Sequence, residues 1–223
     1  GHITCHEAAS IESTGHKILG LPNTDGKLTS RQIAACAAEY YEGGAPEYLT
    51  EPKLVYISFP TEQGTLYSKG ELRAISEVCK KYGMYLFVDG ARMGYGLGAE
   101  DNDLTLKDFA ELTDVFYIGG TKCGALFGEA LIITEPRLQY RFKAYMKQHG
   151  AVYFGAIGGC GALLSKCIKK AEVIAYEDLG AEALRRLEVE DFPVTVIIDA
   201  LGNDLYETGR RAYLEQCNGK QPH

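Results

Sequence analysis

Two short stretches of the 223-residue chain carry side chains that could do chemistry together. In Val88-Asp89-Gly90-Ala91-Arg92 a carboxylate is followed closely by a guanidinium, and in Gly119-Gly120-Thr121-Lys122 an amine follows a glycine pair and a hydroxyl. An amine on a flexible turn can condense with a carbonyl. A carboxylate can keep a heteroaromatic nitrogen protonated, so that the ring draws electrons out of a bond being broken. The 33 residues from Asp89 to Lys122 leave room for one helix and one strand, which would bring the two groups to neighbouring sheet positions. The residues alone leave a plainer alternative open: an Asp that caps a turn and a Lys that is only solvated.

The elements that would position these groups alternate. Leu28 to Tyr41 is predicted helical, with Thr29 or Ser30 as cap and Ile33, Ala34, Ala37 and Ala38 on one face. Lys53 to Phe59 reads as a buried strand, and Pro60 to Tyr67 as a loop holding Glu62. Ser68 stands three residues before Glu71, the capping-box spacing, and opens a helix to Tyr82 that Gly83 closes. Strands follow at Met84 to Val88, Val115 to Ile118 and Ala130 to Thr134, with helices at Leu106 to Leu112 and from Pro136 to about Gln148. This alternation predicts an α/β fold, a mainly parallel sheet with helices on both faces, and ligands bind such sheets at the carboxyl ends of strands. Asp89 and Lys122 fall just past predicted strand ends.

Beyond Gly150 the texture changes to a small α/β unit. Strands are predicted at Ala151 to Phe154, Ala171 to Tyr176 and Phe192 to Asp199. Gly158-Gly159 is predicted to open a small-residue helix, Leu179 to Leu187 to form a short helix, and Cys217 to His223 to be a polar, disordered tail.

Composition narrows the function classes. A net charge of −7 with no basic stripe gives no sign of a nucleic-acid partner. No run is long enough to span a bilayer, and no basic-then-apolar leader opens the chain, which lacks an initiator Met. The seven cysteines, at 5, 36, 79, 123, 160, 167 and 217, form no Cys-x-x-Cys pair. Their odd number and scatter predict no structural metal and a reducing, cytoplasmic location.

Four motifs in order then give a resemblance. Gly1-His-Ile-Thr-Cys-His-Glu, Tyr56-Ile-Ser-Phe-Pro-Thr-Glu-Gln-Gly-Thr-Leu-Tyr, Leu86-Phe-Val-Asp-Gly-Ala-Arg-Met and Asp114-Val-Phe-Tyr-Ile-Gly-Gly-Thr-Lys-Cys-Gly make residues 1 to about 145 resemble the threonine aldolase and β-eliminating lyase family. The resemblance implies a truncated large domain of the pyridoxal-phosphate (PLP) transferase type. It implies retro-aldol cleavage or β-elimination on a threonine-like β-hydroxy-α-amino acid, through a Lys122 Schiff base. By position it makes Asp89 the partner of the pyridine nitrogen, Arg92 the neighbour of the ring hydroxyl, His2 the histidine stacked on the ring, and Thr121 a helper at the phosphate. Glu62 stands where many aldolases have a second histidine near the substrate hydroxyl. The family's active sites lie at dimer interfaces, so the resemblance also implies a homo-oligomer. The family's phosphate-binding loop lies upstream of the first residue here, and its carboxylate-gripping small domain is not found.

A second resemblance begins near residue 146. Gly150-Ala-Val-Tyr-Phe-Gly-Ala-Ile-Gly-Gly, Ile168-Lys-Lys-Ala-Glu-Val-Ile-Ala-Tyr-Glu-Asp-Leu-Gly, Val189-Glu-Asp-Phe-Pro-Val and Gly202-Asn-Asp-Leu-Tyr resemble the C-terminal end of the β-subunit of class I fumarases and L-tartrate dehydratases. Those enzymes work with an iron–sulfur cluster held elsewhere, so Cys160 and Cys167 are expected to be plain packing residues. The expected organisation is therefore an aldolase-like core over 1–145 and a fumarase-like segment over 146–223. A dehydratase fragment and a non-catalytic chimera are the alternatives to a PLP lyase.

Overall fold

The computed structural model describes residues 1–7, 9–124, 129–155, 164–175, 177 and 183–218. The chain divides into two compact units, Gly1–Glu135 and Pro136–His223.

The first unit is built on four strands, β1 (Leu54–Ser58), β2 (Tyr85–Asp89), β3 (Val115–Gly119) and β4 (Glu129–Ile133), lying side by side in that order. β1, β2 and β3 are parallel, with Tyr56 opposite Phe87 and Ser58 opposite Asp89. β4 runs antiparallel to β3. A short connection dictates that direction, because a parallel return needs a crossover of a dozen or more residues.

Helices in this unit are α1 (His2–Cys5), α2 (Ser30–Tyr41), α3 (Lys69–Tyr82), α4 (Met93–Leu97) and α5 (Leu106–Leu112). Three start on reciprocal capping boxes: Thr29 with Gln32, Ser68 with Glu71, and Thr105 with Asp108. Each box satisfies two backbone donors that a helix start would otherwise leave open. Gly83, at φ 65°, stops α3 in a left-handed conformation that a side chain resists.

Strand alternation sorts the two sheet faces. Val55, Ile57, Leu86, Val88 and Phe116 turn to one face and join a single buried cluster with Ile33 and Ala37 of α2, Leu72, Ile75 and Cys79 of α3, Met93 of α4 and Phe109 of α5. Each Val, Leu, Ile, Phe or Met side chain among these contributes about 1.5–3 kcal/mol when fully removed from water. Tyr56, Phe87 and Tyr117 turn to the opposite face and are only half-buried. The expected mainly parallel α/β sheet is thus present, and the buried residues of α2 to α5 cover one side of it.

The second unit holds α6 (Pro136–Gln148), α7 (Leu205–Asn218) and two antiparallel strand pairs: β5 (Tyr153–Gly155) with β8 (Thr195–Ile198), and β6 (Ile168–Ala175) with β7 (Leu184–Val189). The helix predicted over 179–187 is overturned from Leu184 onward: that stretch is β7, paired with β6 from Leu184 opposite Ala175 to Val189 opposite Ile168. Leu184 and Leu187 have helical spacing, but pairing with β6 decides the conformation. Cys217, placed in a disordered tail, lies in the last turn of α7. The helix predicted at Gly158-Gly159 lies outside the described residues. Among the described residues of this unit, Met146, Ile197 and Ile198 form a small buried cluster, Leu164 and Ala183 are also buried, and Lys143 joins Asp204 (2.6 Å) and Glu207 (2.5 Å).

Candidate active site

The site forms where β2 and β3 end. Two turns leave those strands, Asp89 to Arg92 and Gly119 to Lys122, and their backbones press together. The Gly119 amide donates to the Gly90 carbonyl at 2.8 Å. A Cβ on Gly90 would lie 1.9 Å from the Tyr117 carbonyl oxygen, and one on Gly119 would lie 2.5 Å from that of Ala91. Glycine at both positions is what lets the turns touch. Arg92 then caps the short α4, and from α4 the Tyr95 hydroxyl donates to the Lys122 carbonyl at 2.8 Å. The Asp89 and Lys122 turns, far apart in sequence, are therefore neighbours, with Asp89, Arg92 and Lys122 each half-buried.

Asp89 is held by three hydrogen bonds. Its Oδ1 accepts from the Tyr117 hydroxyl (2.5 Å) and from the Ala91 amide (2.9 Å), and its Oδ2 accepts from the Tyr56 hydroxyl. Tyr56 comes from β1 and Tyr117 from β3, so the neighbouring strands close on the carboxylate from both sides. Phe87 lies between them, its ring stacked on Tyr56 (5.1 Å, 13°) and tilted against Tyr117 (6.1 Å). Burial first, and the Asp89 carboxylate second, push both phenols well above the ordinary tyrosine range. Raised phenols favour the neutral, donating form.

His2 belongs to a second cluster. Its amide donates to Glu62 Oε1 at 2.6 Å, its Nδ1 lies 3.6 Å from Glu7, and its ring packs on His6 at 5.0 Å. The Glu62 loop is itself pinned, since the Thr65 amide donates to Thr61 Oγ1 and the Thr65 hydroxyl to the Asp25 carbonyl. Glu7 also raises the pKa of both clamp phenols, which puts this N-terminal cluster within electrostatic range of the Asp89 face. Thr121 is exposed; its hydroxyl and amide, with the Gly120 amide, donate to the Glu129 carboxylate at 3.1–3.4 Å.

The donor set can be tested against the cofactor that the motifs imply. A carboxylate has about four acceptor places. Three on Asp89 are filled, which leaves one on Oδ2 for a single N–H donor such as a protonated pyridine. At Asp89 the donor set therefore fits a protonated ring nitrogen. At the Thr121 turn a carboxylate already takes the donors that a phosphate would need. Sequence reasoning missed Tyr56, Phe87, Tyr117 and Glu129. The one available signal was strand parity, which puts Tyr56, Phe87, Asp89 and Tyr117 on one sheet face once the register is known.

Two groups of known proteins match the chain. The low specificity L-threonine aldolase of Pseudomonas sp. (strain NCIMB 10558) is 34% identical over 161 residues, 66% of this chain and 44% of that protein. The solved structure of Leishmania major threonine aldolase superposes with a TM-score of 0.61 at 50% identity, covering 68% of this chain and 43% of that one. Residues 127–209 match the Fumarase C-terminus family. The aerobic class I fumarate hydratase of Escherichia coli (strain K12) is 43% identical over 91 residues, 40% of this chain and 16% of that enzyme. The chain thus spans under half the length of the curated relatives it matches. It joins a segment homologous to the threonine aldolases, with their PLP fold type I architecture, to a segment homologous to the C-terminus of class I fumarases.

Proposed function

We propose that residues 1–145 are the cofactor-handling core of a PLP-dependent lyase acting on a threonine-like β-hydroxy-α-amino acid, and that residues 146–223 are a fumarase-type segment attached to it. The observation that carries this reading is Asp89, a carboxylate locked at the end of a parallel strand with one acceptor place left, beside the turn that bears Lys122. The cofactor, when bound, supplies a ring that accepts the electrons of the bond broken at the substrate's α- or β-carbon. Lys122 is the amine that would hold it, Asp89 would keep its ring nitrogen protonated, Arg92 would serve its ring hydroxyl and His2 would stack on the ring. Thr121 would help to hold its phosphate in place of the Glu129 carboxylate. Glu62, fixed beside His2, is the base for the substrate hydroxyl, in place of a histidine. The working form is a cytoplasmic homo-oligomer. Identity to threonine aldolases over two thirds of the chain supports the substrate class.

The test is a visible absorption titration with PLP beside Lys122→Ala. A saturable band in the natural chain, fixed by borohydride on Lys122 and missing from the variant, is expected. No band, or equal bands in both proteins, overturns the reading. A second reading, a dehydratase β-subunit fragment, is favoured by the match over residues 127–209. Fumarate hydration on adding an iron–sulfur partner subunit, with no PLP band, would select it.

A further inference from the structure

We infer that Tyr56 and Tyr117 are positioning residues: by donating one hydroxyl to each oxygen of Asp89 they fix the carboxylate plane so that the remaining acceptor place on Oδ2 faces the cofactor nitrogen. This rests on the PLP reading above and assigns it two residues that the motifs do not. Three features carry it. The donors come from opposite sides, Tyr56 on β1 and Tyr117 on β3, so rotation of the carboxylate in either direction breaks a bond. Phe87 fills the space between the two phenol rings and sets their separation. The Ala91 amide on Oδ1 blocks the second lone pair of that oxygen, leaving Oδ2 as the acceptor for a further N–H.

A carboxylate free to turn would present its lone pairs over a wide arc, and an N–H donor would have to halt that rotation on binding. The tyrosines complete this ordering during folding, as supporting hydrogen bonds do for ligand-holding side chains elsewhere. Neither hydroxyl touches the reacting atoms, so removing one alters cofactor binding and its spectrum and leaves the Lys122 linkage intact.

The experiment uses the full chain, with and without PLP. Without it, the Cζ resonances of 13C-labelled Tyr56 and Tyr117, assigned through Tyr56→Phe and Tyr117→Phe, are expected to move in Asp89→Asn. The Tyr82 resonance, whose hydroxyl contacts Glu42, is expected to stay. With PLP, each Phe variant is expected to bind about tenfold more weakly, the loss of one hydrogen bond to a charged group. Its visible band is expected to shift while borohydride still fixes PLP on Lys122. Resonances that ignore Asp89→Asn, or Phe variants with the natural affinity and spectrum, overturn the clamp and leave the PLP reading standing. A natural chain without any PLP band overturns both.

Discussion

Replacing Gly90 by Ala tests how much the contact between the Asp89 and Lys122 turns matters. A Cβ there would lie 1.9 Å from the Tyr117 carbonyl oxygen, and real Cβ contacts stop near 3.0 Å, so β3 or the turn must move by about 1.1 Å. The Met93 methyl, 2.8 Å from the new carbon, can swing aside, but the Tyr117 carbonyl belongs to a strand paired with β4 and cannot yield alone. Overpacking of this kind costs about 3 kcal/mol, and the lower chain entropy of Ala in the unfolded state returns about 0.5–1 kcal/mol. A net loss of about 2–2.5 kcal/mol corresponds to about 30- to 70-fold faster opening of the bond between the Gly119 amide and the Gly90 carbonyl. Amide hydrogen exchange at Gly119 reads this directly. Gly20→Ala, which meets nothing within 4 Å, is the control. Exchange at Gly119 within threefold of the natural chain would refute the claim that glycine is needed for the two turns to touch.

Two further expectations follow from the polar contacts of the first unit. Tyr67 is buried, its hydroxyl oxygen accepts the Leu28 amide at 2.7 Å, and burial pushes its phenol up to about 12. Tyr67→Phe leaves that amide unmet and is expected to lower stability by about 1–3 kcal/mol, read from the urea midpoint and constant from pH 6 to about 10. Asp108 is held well below the usual carboxylate range, first by the Lys69 ammonium and then by the Thr105 hydroxyl and amide. A folded pKa below the unfolded one gives stability that is present above about pH 4 and lost as pH falls through the folded value. The urea midpoint should therefore drop through this acid window, and Asp108→Asn should flatten the drop; an unchanged slope refutes the assignment.

What the sequence revealed follows the range of the interactions involved. The Ser68–Glu71 capping box lies within four residues and was readable, as was the stop at Gly83. The motifs located Asp89, Arg92 and Lys122 because one turn sets each locally. The clamp on Asp89 was not readable: Tyr56 and Tyr117 lie 33 and 28 residues from it, and only strand register decides that their hydroxyls meet one carboxylate. The conversion of Leu184–Val189 from predicted helix to strand has the same origin, since it depends on a partner strand outside the local window. Glu129 drew no notice because a glutamate opening a strand has no local signature. Its function appears only when the Gly120 and Thr121 amides turn toward it.

The two units differ most in the core behind their strands, and this gives the last prediction. In the first, β1 and β2 rest on a buried cluster that includes Phe59, Leu72, Ile75, Leu86, Val88, Met93 and Phe109. In the second, the described buried hydrophobic residues are the cluster of Met146, Ile197 and Ile198, with Ala151 packed against it, and Leu164 and Ala183 outside that cluster. The β6–β7 pair leaves Val173, Ile174, Leu187 and Val189 exposed. A two-stranded ribbon on its own is at best marginally stable in water. Amides of β6 and β7 should thus exchange by local opening, orders of magnitude faster than those of Leu86 and Val88, which open only with the whole first unit. Equal protection in both units would refute this and show that the fumarase-like segment gains stability from contacts beyond its own described core.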